Sequence, residues 1–121
     1  MVEVRAFLQS RVLACLQAGI PREHVVLDPG FGFGKTLHHN LDLSANLDHI
    51  ADMGLPVVAG LSRKGMIGEI SGRDVEHRQV ASAAAAVIAA QNGASLLRVH
   101  DVAETVDALA VLRTVRSAAL R

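Results

Sequence analysis

Three short apolar runs punctuate this chain, and helical patterns fill the intervals between them. The runs are Val25–Asp28, Val57–Leu61 and Ser95–Val99, and the helical patterns cover residues 3–18, 41–53, 75–91 and 102–119. The order is therefore α-β-α-β-α-β-α. Strands this short, apolar on both faces and separated by helices read as parallel strands with crossover helices. The chain has 121 residues, enough for one domain and one core. Three parallel strands leave two open edges, and a closed (β/α)8 barrel needs roughly 250 residues. The expected class is α/β, as either a small open sheet or part of a barrel.

The helical patterns carry their own punctuation. Val4, Leu8, Val12 and Leu16 recur at i, i+4 spacing in the first, and Gly19 ends it. Asn40 is the expected cap of the second, with Leu43, Leu47 and Ile50 inward and Gly54 at its end. Ser62–Gly72 reads as a loop with one short helix around Met66–Ile70. Asp74 is placed to cap the third long helix, whose Ala83–Ala90 run stops at Asn92-Gly93. Asp101 and Glu104 form a capping-box pattern for the last, with Val106, Leu109 and Leu112 or Val115 on its apolar face.

All three strands end in polar groups. The first delivers Asp28 into the glycine-alternating loop Pro29-Gly30-Phe31-Gly32-Phe33-Gly34, which continues to about His39. The second ends in Ser62-Arg63-Lys64, and the third in Arg98-Val99-His100-Asp101. In parallel α/β folds ligands bind beyond the carboxyl ends of the strands. Carboxylates, cations and one imidazole on one rim suit a ligand with a polar ring and an anionic tail, such as a phosphate ester. The alternative is that Arg63, Arg98 and Asp101 make rim salt bridges and helix caps. Phe31 and Phe33 either seal the top of the sheet or contact a flat substrate.

Several chemistries are disfavoured. Gly34-Lys35-Thr36 ends like a nucleotide-binding P-loop, but Pro29 stands where the pattern needs its first glycine. No Gly-x-Gly-x-x-Gly fits Gly30, Gly32 and Gly34. His38-His39, being adjacent, is expected to be a solvated loop pair, and no metal ligands are assigned. His24, His49 and His77 read as surface residues. Cys15 is the only cysteine and reads as a small buried hydrophobe. Twelve basic residues balance twelve acidic ones, and Trp and Tyr are absent, so neither nucleic acid nor a membrane surface is an expected partner. No run approaches the roughly 18 apolar residues of a membrane span, and no signal-type segment opens the chain. A cytoplasmic protein is expected.

Leu27-Asp28-Pro29-Gly30-Phe31-Gly32-Phe33-Gly34-Lys35, then Gly60-Leu61-Ser62-Arg63-Lys64, then Arg98-Val99-His100-Asp101, closely resemble the C-terminal half of dihydropteroate synthase. The resemblance runs from about residue 3 to 119 and makes the whole chain, residues 1–121, the C-terminal part of a pterin-binding barrel domain. It implies three strands, six to eight, of a (β/α)8 TIM barrel. It implies condensation of 6-hydroxymethyl-7,8-dihydropterin diphosphate with p-aminobenzoate, giving 7,8-dihydropteroate and pyrophosphate in folate biosynthesis, with Mg2+ as cofactor and sulfonamides as inhibitors. By resemblance Asp28, Lys64, Arg98 and His100 bind the pterin diphosphate, with Lys64 and Arg98 also catalytic, and Phe33, Ser62 and Arg63 border p-aminobenzoate. The family's first five strands, with its Mg2+-binding Asn, have no counterpart here, so the isolated chain is expected to be inactive. The resemblance also implies a homodimer through the C-terminal helices, the Ala81–Ala90 face being a contact or ordinary packing. The alternative function is a non-catalytic barrel fragment or interaction module.

Overall fold

The structure, a computed structural model, describes residues 1–119. Three extended segments lie side by side in sequence order, all parallel. Leu27 bridges to Val57, and β1 (Val58–Ala59) pairs with β2 (Leu96–Leu97), Val58 opposite Leu96. The ladder is short but continuous. Leu27 N–H donates to Pro56 O at 2.8 Å, Val58 N–H to Leu27 O at 2.8 Å, and Arg98 N–H to Ala59 O at 3.1 Å. Parallel pairing in this order brings the three polar strand ends to one rim. The α/β class and the arc-of-barrel architecture follow directly.

Around this sheet run α1 (Val2–Gln17), α2 (Leu37–Ala45), α3 (Asp48–Ala51), α4 (Gly65–Ser71), α5 (Gln79–Gln91) and α6 (Val102–Ala119). Phe31, Leu43, Leu47, Ile50, Val57 and Ile67 are the largest fully buried side chains, and they form one aliphatic core with Leu8, Val12 and Leu27. α5 turns Ser82, Ala86 and Ala89 inward and packs chiefly against α6.

Several expected details give way to local chemistry. The paired strand segments are shorter than the apolar runs, and Val26 and Leu96 are about half exposed, because no described element covers them. The second helix starts at Leu37, capped by Thr36 and not Asn40. Thr36 Oγ1 accepts from His39 N–H at 3.2 Å, while His39 Nδ1 faces Thr36 N–H at 3.4 Å. His38-His39 is thus exposed, as expected, but helical. The helix breaks at Asn46, whose side chain bonds back to the Asp42 carbonyl at 2.9 Å and carboxylate at 3.0 Å, competing with the backbone ladder.

Asp74 spends its carboxylate on the His77 ring, 2.6 Å away, within a 3-10 turn at Val75–His77, so α5 begins only at Gln79. That hydrogen bond holds Asp74 below the usual carboxylate range. Asp101 likewise serves Arg63 instead of a capping box, and Thr105 closes the first turn of α6 by donating to Asp101 O. The inward face of α6 runs through Thr105 and Leu109, while Val106 and Val115 are exposed. In α1, Leu8 and Val12 are buried as expected, but Leu16 is exposed and Cys15 only half-buried. No described helix is long and apolar enough to cross a membrane.

Candidate functional site

The rim holds a cleft of about 320 Å³ lined by Gly60, Ser62, Lys64, Arg98, Val99 and His100. The second and third strand ends therefore share one cavity. Asp28 lies in a separate cleft with Pro29, Gly30, Phe33 and Lys35, near enough for its charge to act on Lys64. It is exposed, and its Oδ1 accepts from Gly30 N–H at 2.9 Å, which fixes its rotamer.

The glycine loop is a scaffold for cations. Gly30, Gly32 and Gly34 sit at φ +76°, +83° and +61°, a region that side chains enter at a cost. This backbone turns carbonyls toward two lysines. Lys35 Nζ donates to Gly30 O at 2.8 Å and Phe33 O at 3.2 Å, and Lys64 Nζ donates to Phe31 O at 2.6 Å. Buried Asn40 takes Gly32 N–H at 3.0 Å. The two phenylalanines divide the roles the sequence left open. Phe31 is buried in the core, whereas Phe33 is 69% exposed with Lys64 Nζ 5.0 Å from its ring centre, a cation–π distance.

Lys64 is pushed below its ordinary value of 10.5, first by burial and then by repulsion from Arg98, with Asp28 opposing. The ammonium is thus less stable in the fold than in the unfolded chain. The penalty is present at neutral pH and is relieved as pH rises through the folded value toward 10.5.

Arg98 is exposed and sets the Nε–Nη2 edge of its guanidinium against Gly60; a Cβ there would stand 2.8 Å from Nη2 and 3.1 Å from Nε. Ser62 is buried and clasps His100 twice, Oγ to Nδ1 at 2.8 Å and Oγ accepting from His100 N–H at 3.1 Å. Arg63 makes a two-pronged pair with Asp101 at 2.6 and 3.2 Å, which raises its already high pKa. For Arg63 and Asp101 the rim salt bridge is real, and Arg63 is a paired, not a free, cation.

The structure therefore brings Ser62, Lys64, Arg98 and His100 together, sets Asp28 and Phe33 beside them, and ties Arg63 to Asp101. Sequence reasoning missed Asn40, Lys35 and Gly60 as supports. Lys35 stood out only as a failed P-loop lysine, and a glycine in a strand is the usual sign of close approach. Among the described residues no three His, Cys, Asp or Glu side chains come together as metal ligands.

The family model described as pterin binding enzyme matches residues 1–100. Dihydropteroate synthase of Haemophilus influenzae is 51% identical over 116 residues, 96% of this chain but 42% of the relative. The Escherichia coli K12 enzyme is 47% identical, with 96% and 41% covered. The solved structure of Xanthomonas albilineans dihydropteroate synthase with 4-aminobenzoic acid superposes with a TM-score of 0.94 at 52% identity, covering 95% of this chain and 42% of that one. The same enzyme in complex with 7,8-dihydropteroate gives 0.94, with 44% of its length covered. The chain spans under half the length of each of these relatives.

Proposed function

The chain belongs to the pterin-binding enzyme family, and we propose that it supplies the C-terminal part of a dihydropteroate synthase. The observation that carries this is the gathering of Lys64, Arg98 and His100 on one cleft with the Asp28 carboxylate beside it. Asp28 accepts from the adjacent N–H groups of the amino-pyrimidine edge, an arrangement a carboxylate matches with two oxygens. Lys64 donates to the pterin carbonyl and ring nitrogen. Arg98 stacks on the pterin face and, with His100, binds the diphosphate.

Pyrophosphate leaves with the electrons of its C–O bond, the pterin carries the resulting positive charge, and the amine of p-aminobenzoate attacks and loses a proton. Arg98 and His100 stabilise charge growing on the leaving group. Ser62, Arg63 and Phe33 border p-aminobenzoate. The family's Mg2+ supplies further neutralisation when bound, and its ligand belongs to the part of the barrel outside this chain. We further propose a cytoplasmic location and a second copy on the C-terminal helices, where Val80 and Ile88 of α5 are exposed.

The test is complementation. This chain alone is expected to give background turnover, since half a pocket cannot orient two substrates. Supplying the missing N-terminal part of the H. influenzae relative is expected to raise pyrophosphate release at least about 1,000-fold, dependent on both substrates. Undiminished turnover by the chain alone would sink the dependence on a second part. A tight complex without turnover favours the interaction-module reading, to which the half-exposed Val26 and Leu96 edges lend support.

Pterin binding by the complemented protein should also weaken on the alkaline side below 10.5, as the depressed Lys64 ammonium loses its proton. Lys64→Arg should carry that limb upward, out of the lysine range. A pH titration of pterin affinity checks this, and an identical limb in both proteins would assign it to another group.

A further inference from the structure

Arg63 is the one described non-glycine residue in the left-handed region, at φ +57°. Such a backbone persists when its surroundings hold it, and here every polar group of the residue is held. Its N–H donates to the buried Ser82 hydroxyl at 2.9 Å, its carbonyl accepts from Arg78 Nη1 at 2.9 Å, and its guanidinium grips Asp101. Arg78 and Ser82 stand one helical turn apart at the start of α5, on the same face.

Arg78 reaches the loop by crossing α4 at Gly68. A Cβ on Gly68 would stand 2.6 Å from the Arg78 Cζ and 2.9 Å from its Nε. Arg78 Nε also donates to Arg73 O at 3.0 Å, and among the described residues Arg78 forms no salt bridge. An always-charged fork is thus committed to two backbone carbonyls through a slot only glycine leaves open.

We propose that Arg78 and Ser82, with Gly68 as the slot, are positioning residues for the second substrate, p-aminobenzoate; this rests on the synthase reading above. They fix the left-handed turn at Arg63, and that turn sets Ser62 against His100 and Arg63 against Asp101. Lys64 has its own anchor on the Phe31 carbonyl. Loss of the clamp therefore falls on the p-aminobenzoate wall more than on the pterin.

The test uses the full chain with its complementary barrel part, in four forms: Arg78→Met, Ser82→Ala, Gly68→Ala and Arg78→Lys. Arg78→Met and Ser82→Ala should speed hydrogen exchange of the Arg63 amide at least 10-fold, with the Val58 amide unchanged. KM for p-aminobenzoate should rise about 10-fold while KM for the pterin diphosphate moves less than threefold. Gly68→Ala should copy Arg78→Met, and Arg78→Lys, which keeps one donor for the Arg63 carbonyl, should recover most of the loss. Unchanged Arg63 exchange, or equal rises in both KM values, overturns the proposal. If the unmutated assembly fails to turn over, the synthase reading fails, and the exchange measurement still decides whether the clamp exists.

Discussion

Gly60→Ala is expected to leave the fold standing and, on the proposed synthase function, to cost the complemented protein on the order of 100-fold in kcat/KM for the pterin diphosphate. Gly60 is buried at the end of β1, and its φ is not in the left-handed region, so alanine fits its backbone. The three atoms nearest the new methyl all belong to the Arg98 guanidinium, at 2.8 to 3.3 Å. That neighbour is the far end of a flexible, exposed side chain and yields cheaply. Stability should therefore change by about 1 kcal/mol or less, since alanine also reduces the freedom of the unfolded chain.

The guanidinium, however, is displaced from the plane in which it is proposed to stack on the pterin. A displacement of about 1 Å at a charged positioning group is enough for losses of this size. The double variant separates this cause from general damage. With Arg98→Ala in place, adding Gly60→Ala should cost almost nothing more, because the group it displaces is gone. Steady-state kinetics on the four proteins of the cycle measure the coupling, and additive losses would show that Gly60 acts elsewhere.

The helix–strand alternation was legible because it rests on periodicity, and the parallel order follows from it. Val57 and Ala59 are buried, with Val57 opposite Leu27 of the first strand and Ala59 opposite Leu97 of the third. The errors lie where one side chain had two possible employers. Asp74, Asp101 and Asn40 all have the chemistry of helix caps, yet each is taken by a partner. His77 is three residues away, Arg63 lies 38 residues away, and Gly32 lies in a loop whose course glycines set. Local sequence ranks capping residues but does not reveal distant competitors.

The site was legible for a related reason. Polar residues that end buried parallel strands have few places to go but the rim, so Asp28, Ser62–Lys64 and Arg98–Asp101 could be placed there from position, while the roles expected of them come from the resemblance. Their supports could not. Arg78, Ser82 and Gly68 act from the sides of helices, where arginine, serine and glycine have many ordinary uses. Only the approach of Arg78 to a bare glycine distinguishes them.

Phe31→Ala and Phe33→Ala should part company completely, although the two residues are separated by one glycine. Phe31 is 1% exposed, and its removal empties the space between the glycine loop and the core. Deletions of this kind cost about 3–5 kcal/mol, a large share of the roughly 5–15 kcal/mol that holds a domain together. The midpoint of chemical unfolding should fall steeply. Lys64 should shift as well, because the backbone carbonyl it grips, which alanine keeps, sits on the loop that the Phe31 side chain anchors.

Phe33 is 69% exposed and contributes little to the core, so its replacement should shift stability by about 1 kcal/mol or less. What it removes is the ring beneath the Lys64 ammonium, a contact worth about 0.5–1 kcal/mol at an exposed site. Affinity for p-aminobenzoate should fall several-fold because the ring is a proposed wall of its site. Denaturant unfolding and ligand titration of both variants check the pair. Equal stabilities would mean that Phe31 does not carry the loop, and unchanged affinity in Phe33→Ala would remove Phe33 from the site.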